Sequence, residues 1–304
     1  MRPRCTTMPY YGTSTGLASK TMKCGIFRRI CAAWFRRNSR FTCPNDLSHM
    51  RLVSLCPSLT ELLFDLGLGS SVVGRTKFCV HPEGAVDSVE KVGGTKNPRL
   101  ARIIELRPDF VFLNEEENRR EDAEALSVAG IACHVSLPRD TTETAAMVRS
   151  IGTAVGRIPE SEAIAADIER RADRVRQTAT GNPEISFAYL IWRDPWMTVN
   201  ADTFVSSLLE LPGGHNVFGD MSDRYPTIDA ARLAAADPDL VLLSSEPFPF
   251  IQQHARELER STGLSPDRFI LVDGELLSWH GSRTPAGIDY AEGVIRGAGS
   301  ASGR

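Results

Sequence analysis

Aromatic and cationic side chains gather in this chain directly after its apolar, strand-like runs. Phe78, Trp192, Trp196, Tyr225, Phe248, Phe250 and Trp279 all fall in such segments, and they include three of the four tryptophans. A large ring can bury roughly 150–250 Å². Rings placed in loops therefore need a cover, either the edge of a sheet or a ligand with an apolar face. Arg75, Lys77, Lys96, Arg119, Arg193 and Arg283 are interleaved with them and can pair with carboxylate or phosphate groups. The combination suits a small molecule with an apolar face and an anionic rim. Two other chemistries compete. His81, His215 and His280, with Glu246 or Cys79, offer imidazole, carboxylate and thiolate ligands of the kind that suits a zinc-like ion, although no close Cys-x-x-Cys spacing is present. Glu115, Glu116 and Glu117 are adjacent carboxyls that could shift one another's pKa as an acid–base pair requires. Against an enzyme, the chain has no Gly-x-Ser-x-Gly elbow and no P-loop, and Gly67-Leu-Gly69 lacks the third glycine of a dinucleotide fingerprint.

The elements that must position these residues alternate in type. Short apolar runs at 51–55, 72–74, 109–113, 131–135, 185–191, 240–243 and 269–272 are separated by helix-like patterns, which predicts an α/β fold with a mainly parallel sheet covered on both faces. Ser58 to Glu61 reads as a capping box opening a helix that ends at Gly67, and Asn97 as the N-cap of a helix beginning at Pro98. Ligands of open α/β sheets collect at the carboxyl ends of the strands, where the rings and charges lie. A linking helix over 141–155 precedes a long one over 159–179. In the latter Ile164, Ile168, Ala172 and Val175 form a narrow apolar stripe, acids lead, arginines follow, and Asp167 and Arg171 are spaced to pair. At 1.5 Å per residue it spans roughly 30 Å. An internal repeat flanks it: Ala101, Arg102, Pro108, Asp109, Val111 and Leu113 recur 130 positions later as Ala231, Arg232, Pro238, Asp239, Val241 and Leu243. Two similar lobes joined by one long helix follow from that symmetry.

Composition adds limits. With 304 residues, 42 % of them apolar, the chain can bury one or two substantial cores. Residues 1–49 hold nine of its 35 Lys and Arg but one of its 38 acids, so the segment is basic and the remainder acidic. An acidic body argues against nucleic-acid binding. The apolar run Ile30 to Phe35 is too short for a signal-peptide core or a membrane span. Residues 1–49 read as a disordered basic arm or as lying upstream of a true start at Met50. Seven cysteines at irregular spacing form no disulfide framework. These features favour a cytoplasmic protein.

The opening Arg51-Leu-Val-Ser-Leu-Cys-Pro-Ser-Leu-Thr-Glu61, Val73-Gly74, Gly93-Gly94-Thr95, the paired Pro-Asp-strand units and Gly213-Gly214-His-Asn-Val-Phe218 carry a resemblance. With them, the body resembles the class III periplasmic-type solute-binding proteins that carry cobalamin, ferric siderophores and metal ions for ABC import systems. The resemblance implies two Rossmann-like lobes joined by one long helix, modest closure, and a non-catalytic receptor that needs no cofactor. It implies the boundaries 50–138 for the first lobe, 139–180 for the linking helices, 181–297 for the second lobe and 298–304 for a tail. The ligand it implies is a cobalamin-like corrinoid or an anionic metal chelate such as a ferric chelate. The candidate binding set is Arg75, Phe78, Thr95, Lys96, Asn114, Trp192, Arg193, Trp196, Tyr225, Glu246, Phe248, Trp279 and Arg283. There are two departures. Family members dock on a permease through a Glu on each lobe, at positions that are Ala101 and Ala231 here, which puts transporter docking in doubt. Cobalamin carriers have aromatic residues near positions that are Thr95 and Asn114 here. A cytoplasmic relative is the expectation, with a periplasmic protein as the alternative.

Overall fold

Continuous apolar runs such as Phe110-Val-Phe-Leu113 and Leu240-Val-Leu-Leu243 have no polar face to give to water, so they form strands buried on both sides. The computed structural model describes residues 50–299, and the basic segment 1–49 and the end of the tail, 300–304, lie outside the described residues. Among those described, the first lobe contains β1 (Leu52–Ser54), α1 (Pro57–Asp65), β2 (Val72–Arg75), β3 (Glu90–Lys91), α2 (Leu100–Glu105), β4 (Phe110–Asn114), α3 (Arg120–Val128) and β5 (Ala132–Ser136). Its sheet is parallel throughout, in the order β3-β2-β1-β4-β5. After α4 (Thr141–Ala154) and α5 (Ile158–Ala179) come β6 (Ile185–Trp192), β7 (Trp196–Thr198), α6 (Phe204–Glu210), β8 (Gly214–Asn216) and β9 (Thr227–Ile228). The chain closes with α7 (Ala230–Ala236), β10 (Leu240–Ser244), α8 (Gln252–Thr262), β11 (Phe269–Val272), α9 (Gly274–Ser278) and α10 (Thr284–Gly299). This second sheet has the order β11-β10-β6-β7-β9 with β8 also on β6, and β7 runs antiparallel to both its neighbours.

The internal repeat has a physical basis. Asp109 accepts the backbone N–H of Arg51 at 2.8 Å just ahead of β1, and Asp239 accepts that of Ser186 at 2.8 Å on β6. Each aspartate thus pins the start of the neighbouring strand. The residues before the two prolines, Arg107 and Asp237, both turn into the left-handed region, at φ 48° and 46°. The chain must leave each helix sharply to drop into the sheet.

Helix α5 begins one residue before the expected Pro159 and ends as expected at Ala179. Ala165, Ile168, Ala172 and Val175 are buried along it. Ion pairs clamp both its flanks: Arg149 of α4 reaches Glu162 and Glu169, while Arg171 and Arg174 reach Asp289 on α10. The expected Asp167–Arg171 pair forms at 3.1 Å.

Three local expectations fail. Ser58 is not an N-cap; α1 starts at Pro57 with Cys56 as its cap, and Glu61 turns away to bind Arg283 instead. Asn97 does not cap a helix either, because Gly93 (φ 120°) and Gly94 fold the chain so tightly over it that α2 starts only at Leu100. Trp196 lies in β7, not in a loop.

Burial also sets an acid response. His134 packs beside Phe112 with Nε2 at 3.0 Å from Ser150 Oγ, and His280 is enclosed between the lobes. Loss of water around each ring pushes both pKa values down to about 4. Below pH 6.5 the unfolded chain takes up protons that the native rings refuse, so stability falls as pH drops from about 6.5 toward 4. We expect each histidine to cost about 2 kcal/mol of unfolding free energy at pH 5 relative to pH 7.5. Urea unfolding of His134→Gln at both pH values checks this; a pH difference as large as that of the parent would refute it.

Candidate functional site

One asparagine organises the strand ends of the first lobe. Asn118 donates from Nδ2 to the carbonyls of Leu55 and Thr95, both at 3.0 Å, and accepts the N–H of Asn114 at 2.9 Å. It therefore ties the ends of β1 and β4 to the 93–97 loop. Asn114 accepts the N–H groups of Glu116 and Glu117, and its Nδ2 lies 3.3 Å from His280 Nε2 of the second lobe. Sequence reasoning missed Asn118. Its signal was an asparagine four residues after Asn114 in an acid-rich turn, a position where a side-chain amide can replace backbone partners.

The lobes meet through polar side chains. Glu116 accepts from Arg224 at 2.5 Å and from the Tyr225 hydroxyl, while Lys96 donates to the Glu116 carbonyl. Arg283 binds Glu61 at 2.5 Å across the cleft and Glu275 within its own lobe, and His81 approaches Glu275 at 3.4 Å. Gly281, at φ 118°, lies against Leu62 and the Ser58 carbonyl, so the 279–283 loop forms a floor between the lobes.

The rings divide into two groups. Phe78 is 50 % exposed, Trp192 41 % and Tyr225 38 %. Behind Trp192, Phe248 stands edge-on at 5.8 Å and Phe250 continues the cluster at 4.8 Å; Trp196 stacks on Phe250 at 6.1 Å. Phe250 and Trp279 are buried. Trp279 donates from Nε1 to Glu246, meets His81 edge-on at 5.6 Å and lies under the Arg283 guanidinium at 4.6 Å. It holds the wall in place rather than offering a face.

The expected cationic rim is largely spent within the protein. Arg75 is buried and gives its N–H groups to the carbonyls of Val86 and Cys79, so it braces the loop after β2. Arg193 is committed to Glu257, Arg119 to Asp122 and Arg283 to Glu61 and Glu275. Lys77, over the Phe78 ring at 4.9 Å, and Lys96 remain exposed. Glu117 and Glu246 are raised above the usual carboxylate range, first by loss of water around them; mutual repulsion among Glu117, Glu246 and Glu275 adds to the rise at Glu246. Thr95 is buried beside Glu117. The alternative metal set is not assembled. His215 lies on β8 opposite Ser186, at the start of β6 and so at the far end from the strand tips; His280 is enclosed; and among the described residues no three His, Cys, Asp or Glu converge.

Two α/β lobes braced by one long helix, with strand-end loops facing across a cleft, define a solute receptor. The chain belongs to the periplasmic binding protein family, which it matches over residues 52–269. It is 25 % identical over 194 residues to the vitamin B12-binding protein of Vibrio campbellii, covering 64 % of this chain and 70 % of that protein. Its fold is similar to the periplasmic vitamin B12 binding protein of Vibrio cholerae (TM-score 0.71, 20 % identity, 82 % and 97 % of the two chains). It is equally similar to a periplasmic heme-binding protein of Roseiflexus (TM-score 0.71, 22 % identity, 82 % and 99 %). The chain is therefore a non-catalytic small-molecule receptor, and its family serves ABC importers. Membership overturns the cytoplasmic expectation: the family is that of periplasmic binding proteins, and both of these solved neighbours are periplasmic. No helix among the described residues is long and apolar enough to cross a membrane.

Proposed function

We propose that the cleft encloses a cobalamin-like corrinoid for delivery to an ABC importer. The observation that carries this reading is the placement of three large rings, Phe78, Trp192 and Tyr225, exposed at strand ends of both lobes. Faces of that size left in water favour a broad apolar ligand. Of the ligand classes raised by the sequence, the electrostatics favour the corrinoid over an anionic chelate. The guanidinium groups near the cleft are neutralised internally, which leaves little positive charge for peripheral carboxylates, and the carboxyls of Glu117 and Glu246 lie in the same region. An amide-rich rim can instead donate to these carboxyls and accept from Lys96. Phe78 would contribute from the first lobe, with Trp192, Phe248 and Tyr225 from the second; Arg75, Trp196 and Trp279 would shape the walls. Ala101 and Ala231 are exposed on α2 and α7, so delivery would not use a carboxylate at either position.

Equilibrium dialysis tests the ligand. Cobalamin should bind saturably with a Kd well below about 100 µM, and hemin at least about tenfold more weakly. Equal affinity, or tighter hemin binding, would overturn the electrostatic argument; no cobalamin binding would remove the corrinoid reading.

A further inference from the structure

Two chains of ion pairs cross from one lobe to the other. In the first, Glu116 after β4 accepts from Arg224 at 2.5 Å and from the Tyr225 hydroxyl. Arg224 is held from its own side by Asp202 at 2.9 Å, and Asp202 meets Arg139, in the segment leading into α4, at 3.3 Å. In the second, Arg283 binds Glu61 of α1 at 2.5 Å and Glu275 of α9, and Glu275 in turn meets His81 of the first lobe at 3.4 Å. The side chains of Glu116 and Arg224 are 28 % and 24 % exposed, and those of Glu61 and Arg283 15 % and 20 %. By contrast, the Arg120–Glu124 pair on α3 has 86 % and 61 % exposure. Shielding from water strengthens an ion pair and leaves a costly bare charge when the pair breaks.

We propose that Glu116–Arg224 and Glu61–Arg283 are paired clasps that hold the empty receptor closed, so that ligand enters and leaves only while both are parted. This rests on the receptor reading given above. Each clasp joins one lobe to the other, so widening the cleft must break it, whereas the pairs made by Arg149 stay within the linking helices. Each arginine is also anchored in its own lobe, Arg224 by Asp202 and Arg283 by Glu275, and so keeps its place for reclosure. A clasp that forms alike over an empty and a filled cleft shifts both closing equilibria by one factor. That factor cancels from the Kd and remains in both rate constants. A group that touched the ligand would act mainly on release.

The test uses Glu116→Gln and Arg224→Gln in the full chain. Without ligand, hydrogen exchange followed by mass spectrometry should show residues 279–284, around the other clasp, exchanging about tenfold faster in either variant, with α4 and α5 unchanged. Stopped-flow mixing with cobalamin should show association and release both about tenfold faster and a Kd within about threefold of the parent. The double variant should be no faster than either single one, because both act through the same bond. Arg120→Gln, which breaks the exposed pair on α3, should match the parent in every reading. Exchange at 279–284 unchanged in both variants would overturn the clasp, as would a Kd shifted about tenfold through one rate alone. If cobalamin binds none of these proteins, the ligand assignment fails and the exchange result alone decides the clasp.

Discussion

Replacing Phe78 and Trp192 together by alanine should weaken cobalamin binding by about 100-fold, with little change in folding stability. Both rings are about half exposed in the structure. Covering the exposed part of each would remove roughly 60–100 Å² of apolar surface from water, or about 1.5–2.5 kcal/mol per ring at ~25 cal/mol per Å². Because 1.4 kcal/mol is a factor of ten, rings covered by the proposed ligand would together supply two decades or more of affinity, less what ordering them costs. The folded protein loses little, since Phe78 is half exposed beneath Lys77 and beside Gly94, and Trp192 has Phe248 as its aromatic neighbour. Calorimetric titration of the double variant, paired with a thermal melt, checks both parts. Affinity within about threefold of the parent would mean that these faces are not the ligand's cover.

The second large effect is on stability, and it lies where α4 meets α5. A Cβ added to Gly152 would come within 1.9 Å of Ser161 Oγ, 2.3 Å of Ser161 Cβ and 2.8 Å of the Arg157 carbonyl. Rotating the serine cannot relieve this, because its Cβ and the carbonyl are fixed by the backbone, and Ser161 is itself bonded to the Ile158 carbonyl. The two helices would have to separate just where Arg149 ties them through Glu162 and Glu169. Gly152→Ala should therefore cost about 3 kcal/mol despite the better helix propensity of alanine, lowering Tm by about 10 °C for a body of this size. Circular dichroism melts give the number. A Tm within about 2 °C of the parent would show that the helix pair yields easily. The double change Gly152→Ala with Ser161→Gly should recover part of the loss, since it removes the atoms that clash.

Several features are legible in the sequence because their causes are local. The strand runs, the Pro-Asp turns and the bounds of the long helix depend on periodicity and on residues a few positions apart, as in the Asp167–Arg171 pair. Local cues misled where a longer-range partner competed for the same group. Glu61 had the spacing of a capping residue, but Arg283, 222 positions away, offers it a full charge. Arg193 looked available for a ligand until Glu257, brought alongside by the second lobe, claimed it. The sequence marks Tyr225 as a ring, but not as a phenol bonded to Glu116 of the opposite lobe.

The sequence by itself determined the alternation of strand and helix, the duplicated lobe unit and the strut between the copies, because turn chemistry and apolar period act over a few residues and survive any arrangement of the rest. Only the tertiary structure decided which rings are left exposed and which are buried, and which arginines are already neutralised. Those outcomes depend on distance and burial between residues far apart in the chain, where a few ångströms turn a possible ligand contact into an internal ion pair.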